Sequence, residues 1–145
     1  MNLTHGIKVS VVSGAAVAAQ TAIDSSILNM KGFHGVIFIA LLGDVTDTSV
    51  LTLTAKGNSA NHLTVPAPVT QASATFTAGA TSADNKILMV DVSEPMLEYA
   101  FASLTRTTAN AVVGGIIAIQ YSADLKPTVQ DATVIANAVA AGVAA

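Results

Sequence analysis

From residue 7 to about residue 121 the chain alternates apolar and polar residues with a period of two, uses β-branched side chains heavily and is punctuated by Gly, Asn and Asp. A period of two puts successive side chains on opposite faces of an extended strand, so the pattern predicts strands and turns rather than helices. About six to eight strands at this spacing suit a β-sandwich or jelly roll better than a propeller or a parallel sheet. The expected fold is therefore all-β, an antiparallel β-sandwich of jelly-roll type with extended termini. Residues 1–125 form the sandwich domain in this reading, and 126–145 an Ala/Val-rich C-terminal arm.

The strands are expected at 7–13, 21–30, 35–42, 49–55, 86–92, 98–105 and 111–121. The segment 35–42 is almost wholly apolar and ends at Gly43-Asp44. Such a run predicts a central strand covered on both faces, by a core on one side and a second contact surface on the other. In 49–55, Val50, Leu51 and Leu53 compete for the core and Thr52 and Thr54 face away, before a turn at 56–59. In 86–92, Ile87, Met89 and Asp91 share one face, and Leu88, Val90 and Val92 the other. Residues 98–105 and 111–121 read as a hairpin around 107–110. The uncharged stretch 57–83 reads mostly as loop, because Pro66 and Pro68 exclude a central strand; 72–77 adds a short edge strand with Phe76 inward. Gly114-Gly115, inside an apolar strand, marks a bulge or a close backbone approach. The tail is open to two readings, a helix over 129–141 or an extended arm lying over a neighbouring molecule. Val134, Ile135, Val139 and Val143 give too narrow a stripe to anchor a surface helix.

Composition decides how such a sandwich can live in water. Among 145 residues, 52% are hydrophobic and only 10% charged, with a net charge of −3. A typical soluble domain carries about 25% charged residues. Hydrophobicity this high excludes intrinsic disorder, yet the outside must be neutral and rich in small and apolar groups. Exposed apolar patches and depleted charge characterise contact surfaces, so the chain reads as an assembly subunit. The opposing reading is a free monomer with a Thr/Ser/Ala surface.

Chemistry is hard to find. There are no cysteines, which excludes disulfides and thiolate chemistry. His5, His34 and His62 lie in separate segments without a second ligand at i+2 or i+4, so no metal site is expected. Asp44 and Asp47 lack the pattern of a calcium loop and read as turn residues. Glu94 and Glu98 flank Pro95 as solvated turn groups, and no serine stands in a nucleophile motif. No catalytic residue and no cofactor are expected. The one arginine, Arg106, leaves no basic patch for direct nucleic-acid binding. The longest apolar runs fall well short of the roughly 20 residues a membrane-spanning helix needs. Residues 1–20 carry weak features of a secretory signal but are read as part of the folded domain, and the Asn2-Leu3-Thr4 sequon as chance.

An ordered set of short features adds a family. These are Ile23-Asp24 followed by Lys31-Gly32-Phe33, an apolar strand ending at Gly43-Asp44 with Asp47 beyond, and Asp84-Asn85-Lys86 leading into Val90-Asp91-Val92. Tyr99 then precedes the strand to Arg106, and Ile116 to Tyr121 stand before Lys126-Pro127. In this order, across residues 20–129, the chain resembles structural proteins of tailed-bacteriophage virions, of the capsid decoration or cement type. It departs from them at Ser122 to Pro127, where related chains carry a more basic run, which counts against electrostatic anchoring by this segment.

The resemblance implies a non-enzymatic β-sandwich on the outer capsid surface of the virion. Its partners would be the major capsid protein and further copies of itself in a dimer or trimer, and its work the stabilisation of the head. The candidate contact regions are the N-terminal segment Met1, Asn2 and Leu3, the loop carrying His62, Val65, Pro66 and Pro68, and the arm with Val129, Val134, Ile135 and Val139. A tail or head-fibre subunit remains an alternative, as does a carbohydrate-binding or adhesin module, although the latter normally displays aromatic platforms.

Overall fold

Extended backbone is what this residue usage favours, and the computed structural model, which describes residues 2–95 and 97–142, is built from it. After a short 3-10 turn at Leu3–His5, ten strands follow: β1 (Lys8–Ser13), β2 (Ala16–Ala19), β3 (Ile23–Asp24), β4 (Leu28–Asn29), β5 (Gly35–Val45), β6 (Val50–Asn58), β7 (Val69–Thr77), β8 (Ile87–Ser93), β9 (Tyr99–Thr107) and β10 (Ala111–Tyr121). They form two antiparallel sheets. The first runs β1-β10-β5-β8, with β2 also on β10; the second runs β3-β9-β6-β7, with β4 also on β9. The chain crosses between sheets at β2–β3, β4–β5, β5–β6, β7–β8, β8–β9 and β9–β10, the winding of a jelly-roll sandwich.

The core lies between the sheets. Val36, Phe38, Ala40 and Leu42 from β5 meet Leu51, Leu53 and Ala55 from β6, Ala102 and Leu104 from β9, and Ile116 and Ala118 from β10, all of them buried. Alanines among these larger groups supply the size alternation that lets two sheets interdigitate.

Several expectations need correction. The hairpin over 98–105 and 111–121 does not form: β9 pairs with β6 and with β3 and β4, whereas β10 pairs with β1, β2 and β5 in the other sheet. Both flanks of β9 are taken, so its successor has no edge there and crosses the sandwich. Residues 56–58 are strand rather than turn, β5 runs through Gly43-Asp44 to Val45, and β7 is longer than 72–77. This edge strand gains support from cross-strand hydroxyl pairs, Thr52 Oγ1 to Thr75 Oγ1 at 3.1 Å and Thr54 Oγ1 to Ser73 Oγ at 2.9 Å. Phe76 sits opposite Leu51, on the core side, but at the open rim it stays 40% exposed. The segment 21–30 divides into β3 and β4 because Ser25 bonds β9 twice between them. Its backbone N–H donates to the Ala102 carbonyl and its hydroxyl accepts from the Ala102 N–H, each at 2.8 Å. No helix occurs over 129–141, where the chain is irregular apart from a turn at Ala132-Thr133.

The paired glycines do mark a bulge. The β10 register shifts between Val113 and Gly115, Gly115 has φ +147, and a Cβ there would lie 3.1 Å from the Ser13 carbonyl oxygen. Opposite it the first strand breaks at Gly14 into β1 and β2, the latter not anticipated.

Polar staples tie one sheet to the other. Arg106 on β9 is buried and donates to the carbonyls of Ala111 (2.7 Å), Val17 (2.8 Å) and Thr21 (2.9 Å) and to Thr21 Oγ1 (3.0 Å). Burial lowers its pKa from the ordinary value, but a guanidinium keeps its charge in proteins. A cation held by carbonyl dipoles replaces an ion pair here. Gln120 acts similarly at the other end, donating to the Asn29 carbonyl at 2.9 Å. Replacing Arg106 by Met would strand several buried carbonyls, and we expect a loss of about 2–4 kcal/mol. Arg106→Lys, with fewer donors in a different geometry, should recover only part of it. Urea unfolding followed by circular dichroism checks both; an Arg106→Met variant as stable as the parent would remove the staple from the account.

Candidate functional site

The register of the first sheet sorts its side chains into two sets. Those facing inward are the core residues above; those facing outward form three apolar tiers that run across the strands. In the first, Val9, Ile119 and Ile37 stand in line and end at Asp91. In the second, Val11, Ile117, Ile39 and Met89 are in line. In the third, Leu41 sits between Gly115 and Ile87. Val11, Leu41, Ile87 and Met89 are 46% to 54% exposed, and Val9, Ile37, Ile39, Ile117 and Ile119 half-buried. The central strand β5 is thus covered on one face only within this chain. Its second face, which the apolar run 35–42 predicts to be covered as well, is apolar and partly exposed.

Charge is confined to a corner of this face. The Tyr121 ring lies over Gly35, where a Cβ would fall 2.1 Å from the ring, and its hydroxyl donates to Asp91 at 2.6 Å. Burial first, and the Asp91 carboxylate second, push the tyrosine pKa up to about 12, so the phenol keeps its proton and holds Asp91 at the rim.

The outward face of the second sheet differs in chemistry. Thr52, Thr54, Ser73 and Thr75 line it and bond one another across β6 and β7. One side of the sandwich is therefore hydrocarbon and the other hydroxyl.

The antiparallel register gathers the N-terminal segment, the loop 59–68 and the start of the arm at one end of the sandwich, where β1 and β7 begin and β6 and β10 end. Asn2 stands at the start of the first turn, its carbonyl accepting the His5 N–H, and Leu3 is exposed; Met1 lies outside the described residues. The loop is organised from within by buried Asn58, which donates to the carbonyls of His62 (2.7 Å) and Pro66 (2.8 Å). His62 Nδ1 accepts the N–H groups of Thr64 and Val65, each at 3.1 Å, which gives this histidine a local structural task. Val65 and Pro66 are exposed around it and Pro68 is half-buried.

The arm does something the sequence did not announce. Thr128 and Gln130 bond the turn before β1: the Thr128 N–H donates to the His5 carbonyl at 3.0 Å, the Thr128 hydroxyl to the Thr4 and Ile7 carbonyls, and Gln130 Nε2 to the Ile7 carbonyl at 2.8 Å. Side chains then satisfy the free edge of β1. Val9 N–H donates to Gln130 Oε1 (2.8 Å) and Val11 N–H to Thr133 Oγ1 (2.9 Å). Asp131 orients Thr133 by accepting its N–H and hydroxyl, and those bonds lower the Asp131 pKa. An edge strand is thereby blocked without a further backbone ladder. Beyond it Val134 is half-buried, Ile135 is wholly exposed, and Val129 and Val139 are exposed; residues 143–145 lie outside the described part.

At the same end His34 joins two connections. Its Nε2 lies 2.6 Å from Asp124 Oδ1, and its Nδ1 3.5 Å from Glu94 Oε2. The Asp124 hydrogen bond, then the Glu94 one, raise its pKa above the usual 6.5. A cavity of about 670 Å³ opens nearby between Lys8, Lys31, Phe33, Asp124, Leu125 and Val129. No group of three or more metal-ligating side chains occurs among the described residues. Among them, no helix is long and apolar enough to cross a membrane. Phe38 and Phe101 are buried, so they add nothing to an aromatic platform.

No protein-family model matches the chain, and no curated protein does. Among solved structures it is similar to the Eiger TNF protein of S. frugiperda, with 6% identity over 87% of this chain and 99% of that one, at a TM-score of 0.41. A likeness that weak carries no argument, and the sandwich assignment stands on the strand pairings themselves.

The His34 cluster has a pH signature. A histidine whose folded pKa is raised contributes its stability in full below the unfolded value near 6.5, and that contribution disappears as pH climbs through the folded value. NMR titration of the His34 ring should show the elevated midpoint, and Asp124→Asn should bring it down toward that of a free histidine. An unchanged midpoint in that variant would mean that the 2.6 Å contact does not form in solution.

Proposed function

We propose that this chain is a non-enzymatic structural protein of a tailed-phage virion, which binds the outer surface of the assembled capsid and stabilises the head. The observation that carries its role as an assembly subunit is the three-tier apolar face on a chain with 10% charged residues. Hydrocarbon on this scale is costly to leave in water and marks a contact surface. The placement on the head, with the major capsid protein as partner, comes from the ordered features between Ile23 and Pro127 that resemble decoration proteins. Self-association into a dimer or trimer belongs to the same reading.

A cement protein acts through differential affinity. It stabilises the expanded shell only to the extent that it binds that shell better than the precursor, and many identical weak contacts then act together. The exposed end of the arm, with Ile135 and Val139, and the exposed Leu3 and Val65 are the contact groups in this proposal. Because they are neutral, attachment should change little between about 0.1 M and about 1 M salt, where screening removes most surface electrostatics.

Cryo-electron microscopy of particles carrying the chain tests the location; density on the tail, or none on the head exterior, would overturn the proposal. The arm is tested by removing residues 134–145, which leaves Gln130 and Thr133 on the β1 edge. We expect circular dichroism to stay that of the parent and occupancy on expanded shells to fall about tenfold, equivalent to about 1.4 kcal/mol. Full occupancy after this truncation would take the arm out of the contact.

A further inference from the structure

We propose that the apolar outward face of the first sheet is covered by a second copy of this chain. The inference rests on the assembly reading above and deepens it, because it names the surface through which copies meet one another, with the arm reaching from it, and leaves the loop end for the shell.

The chemistry of the face selects its occupant. Its centre is hydrocarbon on four adjacent strands in register, and its one carboxylate, Asp91, is tied down at the corner by Tyr121. A highly charged partner would find only this corner carboxylate to pair with. A flat neutral sheet would, since two sheets pack face to face about 10 Å apart through side chains of this kind. The same face of another copy supplies such a surface, and identical patches related by a two-fold axis are self-complementary. The hydroxyl face on the other side of the sandwich, where Thr52 and Thr54 already bond their neighbours, is left to water.

Area sets how the contact is completed. Four strands about 4.8 Å apart and about five residues long give a footprint of roughly 300–350 Å². A standard stable interface takes about 800 Å² from each partner. The face alone supplies under half of that, so a further element must join it. The arm leaves the edge of this same face at Thr133, beside Val11, and continues with Ile135 wholly exposed. Fully extended, residues 134–142 reach about 30 Å, farther than the roughly 19 Å width of four strands. An arm can thus cross the flank of the copy packed against it, while its first part stays clamped on its own β1.

Sedimentation equilibrium of the full chain tests this. We expect an oligomer at about 10–100 µM, the range over which weak but specific contacts are populated. Met89→Glu and Val11→Lys, on opposite edges of the face, should each weaken self-association at least a hundredfold, whereas Thr52→Glu on the hydroxyl face should leave it unchanged. Circular dichroism shows whether each variant is folded. If the charged variants fail to fold, Met89→Cys gives a second reading, because the chain has no other thiol. Its maleimide reaction should be slow in the concentrated protein and speed up on dilution. A monomeric parent, a folded Met89→Glu protein that stays oligomeric, or a Met89→Cys thiol equally reactive at all concentrations would overturn the proposal. A monomeric parent whose shell attachment is lost in Met89→Glu would assign the face to the shell instead, and so overturn it too. An oligomer dispersed by Met89→Glu that binds no capsid would uphold the interface and sink the capsid reading.

Discussion

The pairing of β5 with β10 sets the rest of the molecule. Both strands are apolar along nearly their whole length, so neither declares by its own pattern which side chains belong inside. Their register decides it: Phe38 opposite Ala118 and Ala40 opposite Ile116 face the core, while Ile39 opposite Ile117 and Ile37 opposite Ile119 face out. A slip of one residue would exchange the two sets. The bulge at Gly115 turns the part of β10 before it toward β2, and a side chain there would be strained by the φ of +147 and crowded by the Ser13 carbonyl. From this one ladder follow the core, the exposed face and the position of β1 at the sheet edge.

Scarce charge shapes how polar groups are used. In place of ion pairs, the sandwich is stapled by Arg106 on carbonyl oxygens, by Gln120 reaching the Asn29 carbonyl, and by Ser25 bonding Ala102 in both directions. Each serves buried backbone groups that would otherwise be costly to leave unpaired. The ion pairs among the described residues gather on His34 at the loop end, where they link connections instead of stabilising the core. The molecule thereby keeps the centre of the first sheet's outward face free of charge, as the core of a packed contact requires.

The arm unites local protection with reach. Gln130 and Thr133 close the β1 edge through side chains, which guards against unwanted strand pairing without committing the rest of the tail. Past Thr133 little is held, and apolar groups such as Ile135 remain outside. An element fixed at its root and largely exposed from there to residue 142 is suited to contacts made during assembly, the role proposed for it.

Much of the sandwich was legible in the chain. Period-two alternation located most strands, because a half-buried strand must alternate; β10 and the glycine bulge were placed by residue type. The wholly apolar 35–42 run pointed to a second contact surface, though the three tiers emerge only when β1, β8 and β10 are aligned beside it. The candidate site was legible as regions and not as roles. Small residues and prolines marked the loop and the arm, but nothing local showed that Gln130 and Thr133 would find β1, or that Asn58 would organise the loop around His62, since those partners are set by folding. By itself the sequence determined the fold class, the apolar excess and the absence of thiol chemistry, all of which depend on residue type and local period. Only the tertiary structure decided that β9 and β10 part into different sheets, that Gln130 and Thr133 cap the β1 edge, and which half of each apolar strand faces water, because those outcomes depend on which flank of each strand is already occupied.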